Sequence, residues 1–401
     1  MASLYACGIT PYDATHIGHA NTYLAFDLLN RAWRAEGKQV NYTQNITDVD
    51  DPLLERATAT GVDWRQLAAS QMALFAGDMA ALNVISPQSW VPVTEAMPDI
   101  IAAVTALLAS GAAYFVDDNG AAAANANGGG DIYFDISSDA AFGSLAKLSD
   151  AEMLQLFEQR GGDPQRPGKR NALDPLLWRA KRPGEPWWDG GSLGPGRPGW
   201  HIGCTVIARE TLGNHFDVLG GGSDLLFPHH EMSESIFRVL ALLESSAHAD
   251  KNAHAVKNDN KPVGARNFMY CGMISYQGEK MSKSLGNLVI VSDLLAQGVD
   301  PMAIRLALLA HHYRSDWEWT DAELEQGQVR LGVWRQRFKT APQSDVVADA
   351  AAQAIAGMRA ALADDLDAPN ALAIVDEYLA TEQQPAAAVR DAIDALLGVK
   401  L

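Results

Sequence analysis

The stretch Tyr5-Ala6-Cys7-Gly8-Ile9-Thr10-Pro11-Tyr12-Asp13-Ala14-Thr15-His16-Ile17-Gly18-His19-Ala20 constrains this chain most. A short apolar run ends at Cys7, a Gly/Thr/Pro/Asp turn follows, and an amphipathic segment runs from Asn21 to Trp33. That order predicts strand, loop, helix. The first N–H groups of a helix have no intrahelical partner, so such a junction can bind an anion. His16 and His19 stand where imidazoles can donate to phosphate oxygens, and Gly18 between them leaves the backbone open to a flat base. His-Ile-Gly-His alone would suit a solvated loop equally well. Lys280-Met281-Ser282-Lys283-Ser284, most of a catalytic domain downstream, favours the phosphate site.

Residues 1–57 then form the first half of a nucleotide-binding α/β unit. Val40 to Ile46 alternates as a second strand and runs into Thr47-Asp48-Val49-Asp50-Asp51-Pro52. Ligands in open α/β sheets gather at the carboxyl ends of strands, which makes Asn45 and Thr47 candidates for substrate contact. The acidic run reads either as a solvated turn or as a helix N-cap for Pro52 to Ala59. Residues 62–110 have helical spacing, with Leu67, Met72, Phe75 and Met79 placed in the core and a glycine stop at Gly111. Tyr114–Val116 and Ile132–Asp135 resemble a hairpin whose Ala/Asn/Gly-rich connection, 117–130, reads as a flexible loop. The Gly-, Pro- and Trp-rich residues 138–200, with Arg160 to Pro164 and Trp178 to Lys181, read as irregular and functional.

Gly220-Gly221-Gly222-Ser223-Asp224 suggests backbone approached closely by a ligand. A helix follows from Met232 to Leu243. The polar residues 245–266 read as an exposed insertion, with His248 and His254 solvated. A last strand spans Phe268 to Ser275. From Val291 the chain is helical: Val291–Gln297, Pro301–His312, Thr320–Phe338, Ala348–Leu362 and Ala386–Leu397. His311 and His312 fall near a helix end without catalytic duty. The division expected is a catalytic unit over 1–290, with an inserted segment at about 85–200, and an all-α unit over 291–401.

Cys7, Cys204 and His229 each fall at or beside a strand end. Two thiols and an imidazole make a good zinc set with a fourth position open, although cysteines are also often simply buried. Three cysteines in 401 residues do not suggest a disulfide framework, and a reducing cytoplasm is the default. No apolar run approaches membrane-spanning length, and no secretory signal is read at the N-terminus. The net charge of −18, from 49 acidic and 31 basic residues, argues against a large nucleic-acid footprint.

His16-Ile17-Gly18-His19 and Lys280 to Ser284 together are the two signatures of class I aminoacyl-tRNA synthetases and their relatives. Cys7-Gly8, Asn45 to Asp51, Gly199-Trp200-His201-Ile202 with Cys204, and Gly220 to His230 extend the resemblance to cysteinyl-tRNA synthetases over the first 320 residues or so. That family adds a glutamate four residues after the histidine ligand, where this chain has Ser233. Cys7 to His16, Asp48 to Arg56 and Arg160 to Pro164 resemble more closely the mycothiol-biosynthesis ligases that join cysteine to glucosaminyl-inositol, which also lack that glutamate. Gly203, in place of an acidic residue, and the length of the 245–266 insertion fit neither family. Relatives carry an N-terminal extension before the first strand, and tRNA synthetases continue into an anticodon-recognition domain.

The resemblance implies a Rossmann-type catalytic domain with a parallel sheet, followed by an all-α helical domain. It implies zinc on Cys7, Cys204 and His229, holding the thiolate of L-cysteine. The cysteine carboxylate attacks the α-phosphorus of ATP, with Mg2+, and the amine of glucosaminyl-inositol takes the cysteinyl group and releases AMP. His16, His19, Lys280 and Lys283 would stabilise phosphate charge. Cys7, Gly8, Ile9, Thr10, Gly18, Thr22, Asn45, Ile46, Thr47, Trp200, Gly222, Ser223, Asp224 and Ile274 match substrate- and adenylate-contacting positions. By chemistry alone, Asp224 could hold a ribose hydroxyl or the substrate ammonium. The resemblance implies a cytoplasmic monomer without tRNA or membrane partners. A compact cysteinyl-tRNA synthetase and a synthetase-like protein without catalysis are the alternatives.

Overall fold

The computed structural model of the protein describes residues 1–117, 129–249, 263–281, 286–339, 349–381 and 385–401. The chain opens with β1 (Ala2–Ala6), a largely buried strand, and continues into α1 (Ile17–Ala35) and β2 (Val40–Ile46). β1 and β2 are parallel, with Ala2 opposite Val40 and Ala6 opposite Gln44. Helices α2 (Asp51–Thr60) and α3 (Trp64–Ala81) lead to the short strand β3 (Ser89–Pro92).

An insertion follows. It consists of α4 (Met97–Ser110), β4 (Ala113–Val116), β5 (Asp131–Phe134), α5 (Asp150–Gln159), β6 (Leu176–Ala180), β7 (Trp188–Asp189) and β8 (Pro195–Pro198). Its strands form an antiparallel sheet in the order β4-β5-β6-β8-β7. The chain then returns through α6 (Trp200–Leu212), β9 (His215–Gly222), α7 (Glu231–Ala249) and β10 (Gly264–Cys271). The first sheet thereby becomes β10-β9-β1-β2-β3, parallel at every pairing. Its order reverses at β1, so the crevice where ligands collect opens at the end of β1, beside Cys7.

The rest comprises β11 (Ile274–Tyr276), β12 (Glu279–Lys280), α8 (Val291–Ala296), α9 (Pro301–Leu309), β13 (Trp317–Trp319), α10 (Asp321–Lys339), α11 (Asp349–Ala363), α12 (Ala368–Ala380) and α13 (Ala387–Leu397). One apolar cluster joins Leu24 and Leu28 of α1 to Ile304 and Leu308 of α9 and to Val389 and Ile393 of α13. Each such fully buried side chain contributes roughly 1.5–3 kcal/mol. A second cluster packs α4, α6 and α7 against Leu177 and Trp178 of the antiparallel sheet. Among the described residues no helix is long and apolar enough to cross a membrane.

Several expectations need correction. Helix α1 begins at Ile17, not Asn21, because the His16 side chain caps it by accepting the Gly18 N–H. Residues 138–200 are not irregular: they hold α5 and three strands of the antiparallel sheet. β3, β13 and α12 were not expected. β3 is a four-residue edge strand ending in Pro92, which a sheet tolerates only at such a place. Phe75 and Met79 are core, while Leu67 and Met72 are half-buried. The 117–130 connection, the 245–266 insertion and His254 fall mostly or wholly outside the described residues, as does the side chain of His248.

Candidate active site

The end of β1, the first turn of α1, the end of β9 and the start of α6 surround a cavity of about 470 Å3. Cys7, Gly8, Ile9, Thr10, His16, Gly18, His19, Thr22, Thr47, Trp200, Cys204, Gly222, Asp224, His229, Ile274 and Lys280 line it. Asn45, Ile46 and Ser223 do not. Asn45 instead braces the wall: its Oδ1 accepts the Gly8 N–H at 2.8 Å and the Tyr5 hydroxyl at 3.1 Å, while its Nδ2 donates to Thr47 Oγ1 at 3.0 Å. A Cβ on Gly8 would lie 1.7 Å from the Asn45 carbonyl oxygen, so only glycine fits there. Lys283 lies outside the described residues.

Two of the three glycines have a reason other than the expected one. A Cβ at Gly220 would meet the Phe26 ring at 2.2 Å, and one at Gly221 would meet Leu225 at 2.8 Å. These two make room for protein side chains, and only Gly222 faces the cavity. Gly203 has a similar steric reason, since a Cβ there would lie 3.0 Å from Val93.

At the α1 end, the His16 and His19 rings lie 3.9 Å apart and tilted by 32°. Burial, then the neighbouring His19 and Lys280 charges, pushes the His16 pKa down to about 3. Burial alone takes His19 down to about 4. Both imidazoles are therefore neutral at physiological pH. His16 Nδ1 accepts from Gly18, which puts its proton on Nε2 as a donor. On the wall of the same cavity the Lys280 ammonium pairs with Asp224 at 3.4 Å.

The metal candidate lies at the β1 end. The ligand atoms of Cys7, Cys204 and His229 are within 4.8 Å of one another, and all three residues are buried. The hydrogen bond from Cys7 lowers the Cys204 thiol well below its usual value, and the nearby His229 adds to this. The same bond, with burial, holds Cys7 well above its own. His229 stacks on the Trp200 indole at 4.5 Å, and its Nδ1 is buried without a partner among the described residues. Two thiols and an imidazole, all buried and within reach of one another, form a donor set that fits zinc.

The position where cysteinyl-tRNA synthetases place a glutamate differs here. Ser233 is buried and donates to the His201 carbonyl at 3.3 Å. Glu231 accepts the N–H groups of Gly143, Leu145 and Ala146, pinning a loop of the insertion. Sequence reasoning missed His230, whose Nε2 lies 3.2 Å from Cys7 Sγ and whose Nδ1 lies 3.1 Å from the Tyr270 hydroxyl. Its adjacency to His229 was the available signal. It also missed Tyr23, whose hydroxyl donates to the Cys7 carbonyl at 3.0 Å.

Comparison with known proteins matches this arrangement. An L-cysteine:1D-myo-inositol 2-amino-2-deoxy-alpha-D-glucopyranoside ligase of Sanguibacter keddieii is 58% identical, covering 100% of this chain and 91% of that protein. The ligase of the same name from Xylanimonas cellulosilytica is 56% identical over 100% and 90%. Among solved structures, Mycobacterium tuberculosis methionyl-tRNA synthetase bound by methionyl-adenylate superposes with a TM-score of 0.58 at 15% identity, over 99% of this chain and 88% of that one. The Agrobacterium radiobacter LeuRS in its ternary complex gives 0.65 at 12% identity, over 99% and 83%. These likenesses show a shared fold. Residues 1–329 match the model of the tRNA synthetases class I (C) catalytic domain, and the chain belongs to that family.

Proposed function

We propose that this protein is an ATP-dependent ligase that activates L-cysteine as cysteinyl-adenylate and transfers it to the amine of glucosaminyl-inositol, releasing pyrophosphate and AMP. The observation that carries this reading is one cavity with a thiol-imidazole cluster at one end and a His-Ile-Gly-His helix start at the other. The relatives at 58% and 56% identity carry the name of this ligase.

In the first step a carboxylate oxygen of cysteine bonds to the α-phosphorus of ATP, and the bond from that phosphorus to the pyrophosphate oxygen breaks. Neutral His16 donates from Nε2, and the N-terminal end of α1, with the partial positive charge of its helix dipole, lines the same cavity. Lys280, with Lys283 expected beside it, neutralises the departing pyrophosphate, and magnesium accompanies the ATP. Zinc held by Cys7, Cys204 and His229 would supply a soft cation that selects a thiol over a hydroxyl, a distinction that shape alone makes poorly. In the second step the neutral amine nitrogen bonds to the carboxyl carbon, the bond to the AMP oxygen breaks, and the proton shed by the nitrogen goes to the departing AMP phosphate or to solvent. Three buried free thiols fit a reducing cytoplasm. The excess of 49 acidic over 31 basic residues counts against a large nucleic-acid footprint.

The test incubates the purified protein with ATP, magnesium and L-cysteine, divided between glucosaminyl-inositol and cysteine tRNA, with products followed by mass spectrometry. AMP and a cysteinyl-aminosugar amide are expected. Charged tRNA would make the protein a compact cysteinyl-tRNA synthetase, and no AMP with either acceptor would make it a binding protein.

A further inference from the structure

A second cavity, of about 600 Å3, adjoins the first and shares Thr10, Tyr12 and Trp200 with it. Its volume falls in the range of small-molecule sites. None of the steps of cysteine activation uses it. Its far wall carries Asp51 at the start of α2 and Arg179 on β6, joined by an ion pair at 3.1 Å. Both ends of that pair are only part-buried, at 42% and 31% side-chain exposure, so each keeps hydrogen-bonding capacity for a ligand. Arg197 holds Asp51 from behind and is itself fixed by Glu185 at 2.8 Å, which makes the pair a rigid fixture. His201 lines the same cavity, is 5% exposed, and its Nδ1 has no partner among the described residues. Tyr12, 38% exposed, adds an aromatic face at the junction of the two cavities.

The position of this cavity matters as much as its lining. The mixed anhydride must be attacked from a side that neither the nucleotide nor the cysteine side chain fills. Trp200 stacks on His229 at the cysteine end and lines both cavities, so the second cavity opens beside that end. The lining is chemically suited to a hydroxyl-rich, uncharged body. Its four carboxylates accept from hydroxyls and its three guanidiniums donate to their oxygens, and the near balance gives an anionic ligand no net attraction.

We propose that this second cavity binds the amine-bearing polyol acceptor, with the amine directed past Thr10 and Trp200 to the adenylate and the hydroxyls held by Arg179 and Asp51. The inference rests on the ligase reading above. Arg179 and Asp51 are then specificity determinants for the acceptor and have no part in cysteine activation.

Two assays of the same samples test it: cysteine-dependent ATP–pyrophosphate exchange, which needs no acceptor, and amide formation over a range of glucosaminyl-inositol concentrations. Arg179→Gln and Asp51→Asn are expected to raise the acceptor KM by about tenfold or more, with exchange within about twofold of wild type. An acceptor KM unchanged within twofold in both variants overturns the assignment while leaving the ligase reading intact. If either variant loses exchange as well, Arg179→Lys carries the test, since it keeps the charge beside Asp51 but loses the planar fork. A rise of at least threefold in acceptor KM then supports the site, and none overturns it. Wild-type protein that exchanges pyrophosphate yet forms no amide fails the ligase reading itself.

Discussion

His16 Nδ1 accepts the backbone N–H of Gly18 at 3.1 Å, and this bond both starts α1 and fixes the imidazole tautomer. A Cβ on Gly18 would lie 2.9 Å from the His16 ring, so the curled-back imidazole requires glycine two residues on. The proton left on Nε2 is what the phosphates would meet.

His16 is therefore expected to act as a neutral donor. Its pKa of about 3 and the value of about 4 for His19 lie below the ordinary histidine value near 6.5. Pyrophosphate exchange should show no gain from histidine protonation as pH falls from 8 to 6; a rise through pH 6.5 would mean that the imidazolium is the working form. His16→Asn keeps a capping side chain but removes the ring, and should slow exchange by about 10²–10³. The same shifts act on stability. The unfolded chain takes up these protons below about pH 6.5, whereas the folded chain resists until about pH 4 to 3. The stability gained from the neutral rings is thus complete above pH 6.5 and is lost as pH falls towards 3. Urea midpoints at pH 7.5 and 5 should differ less in His19→Gln than in wild type.

Cys204→Ala leaves Cys7 and His229 as a two-ligand remnant. Zinc should drop from one per chain to near none by elemental analysis, and cysteine-dependent exchange should be abolished while far-ultraviolet circular dichroism is retained. Full exchange activity in the metal-free variant would remove the proposed zinc role.

Asp27 and Arg305 form an ion pair with both side chains fully buried. Arg305 also donates to the Leu397 carbonyl at 2.6 Å and the Leu82 carbonyl at 2.8 Å, and Arg31 reaches Asp27 at 2.7 Å. This network fastens α1 to α9 and α13. Removing one partner leaves a buried charge, so Arg305→Met should cost about 3–5 kcal/mol in urea denaturation. Asp27→Asn combined with Arg305→Met should recover part of that loss; a strictly additive further loss would show that the two residues act independently.

Much of the nucleotide-binding half is legible in the sequence because its periods are clear. Val40–Ile46 alternates and lies where expected. In the insertion, the end of α4 at Gly111 and the β4–β5 hairpin are legible too, but the later strands are not, because β7 has only two residues and β5 pairs with β6 as far apart as Ile132 and Trp178. The Asp27–Arg305 pair spans 278 residues, and no local pattern announces it. At the site, chemically rare groups such as Cys7, Cys204 and His229 stand out by type. Asn45 was rightly placed at a strand end, yet it holds Tyr5, Gly8 and Thr47 in place and does not face the cavity. Side-chain direction of that kind follows from packing and not from spacing.

The most direct test of the account is the fate of the carboxylate oxygen. L-cysteine labelled with 18O in both carboxylate positions, with ATP and glucosaminyl-inositol, should yield AMP carrying one 18O and an amide carrying the other, with unlabelled pyrophosphate. Label in inorganic phosphate together with ADP, or AMP without 18O, would contradict activation of cysteine as an acyl-adenylate.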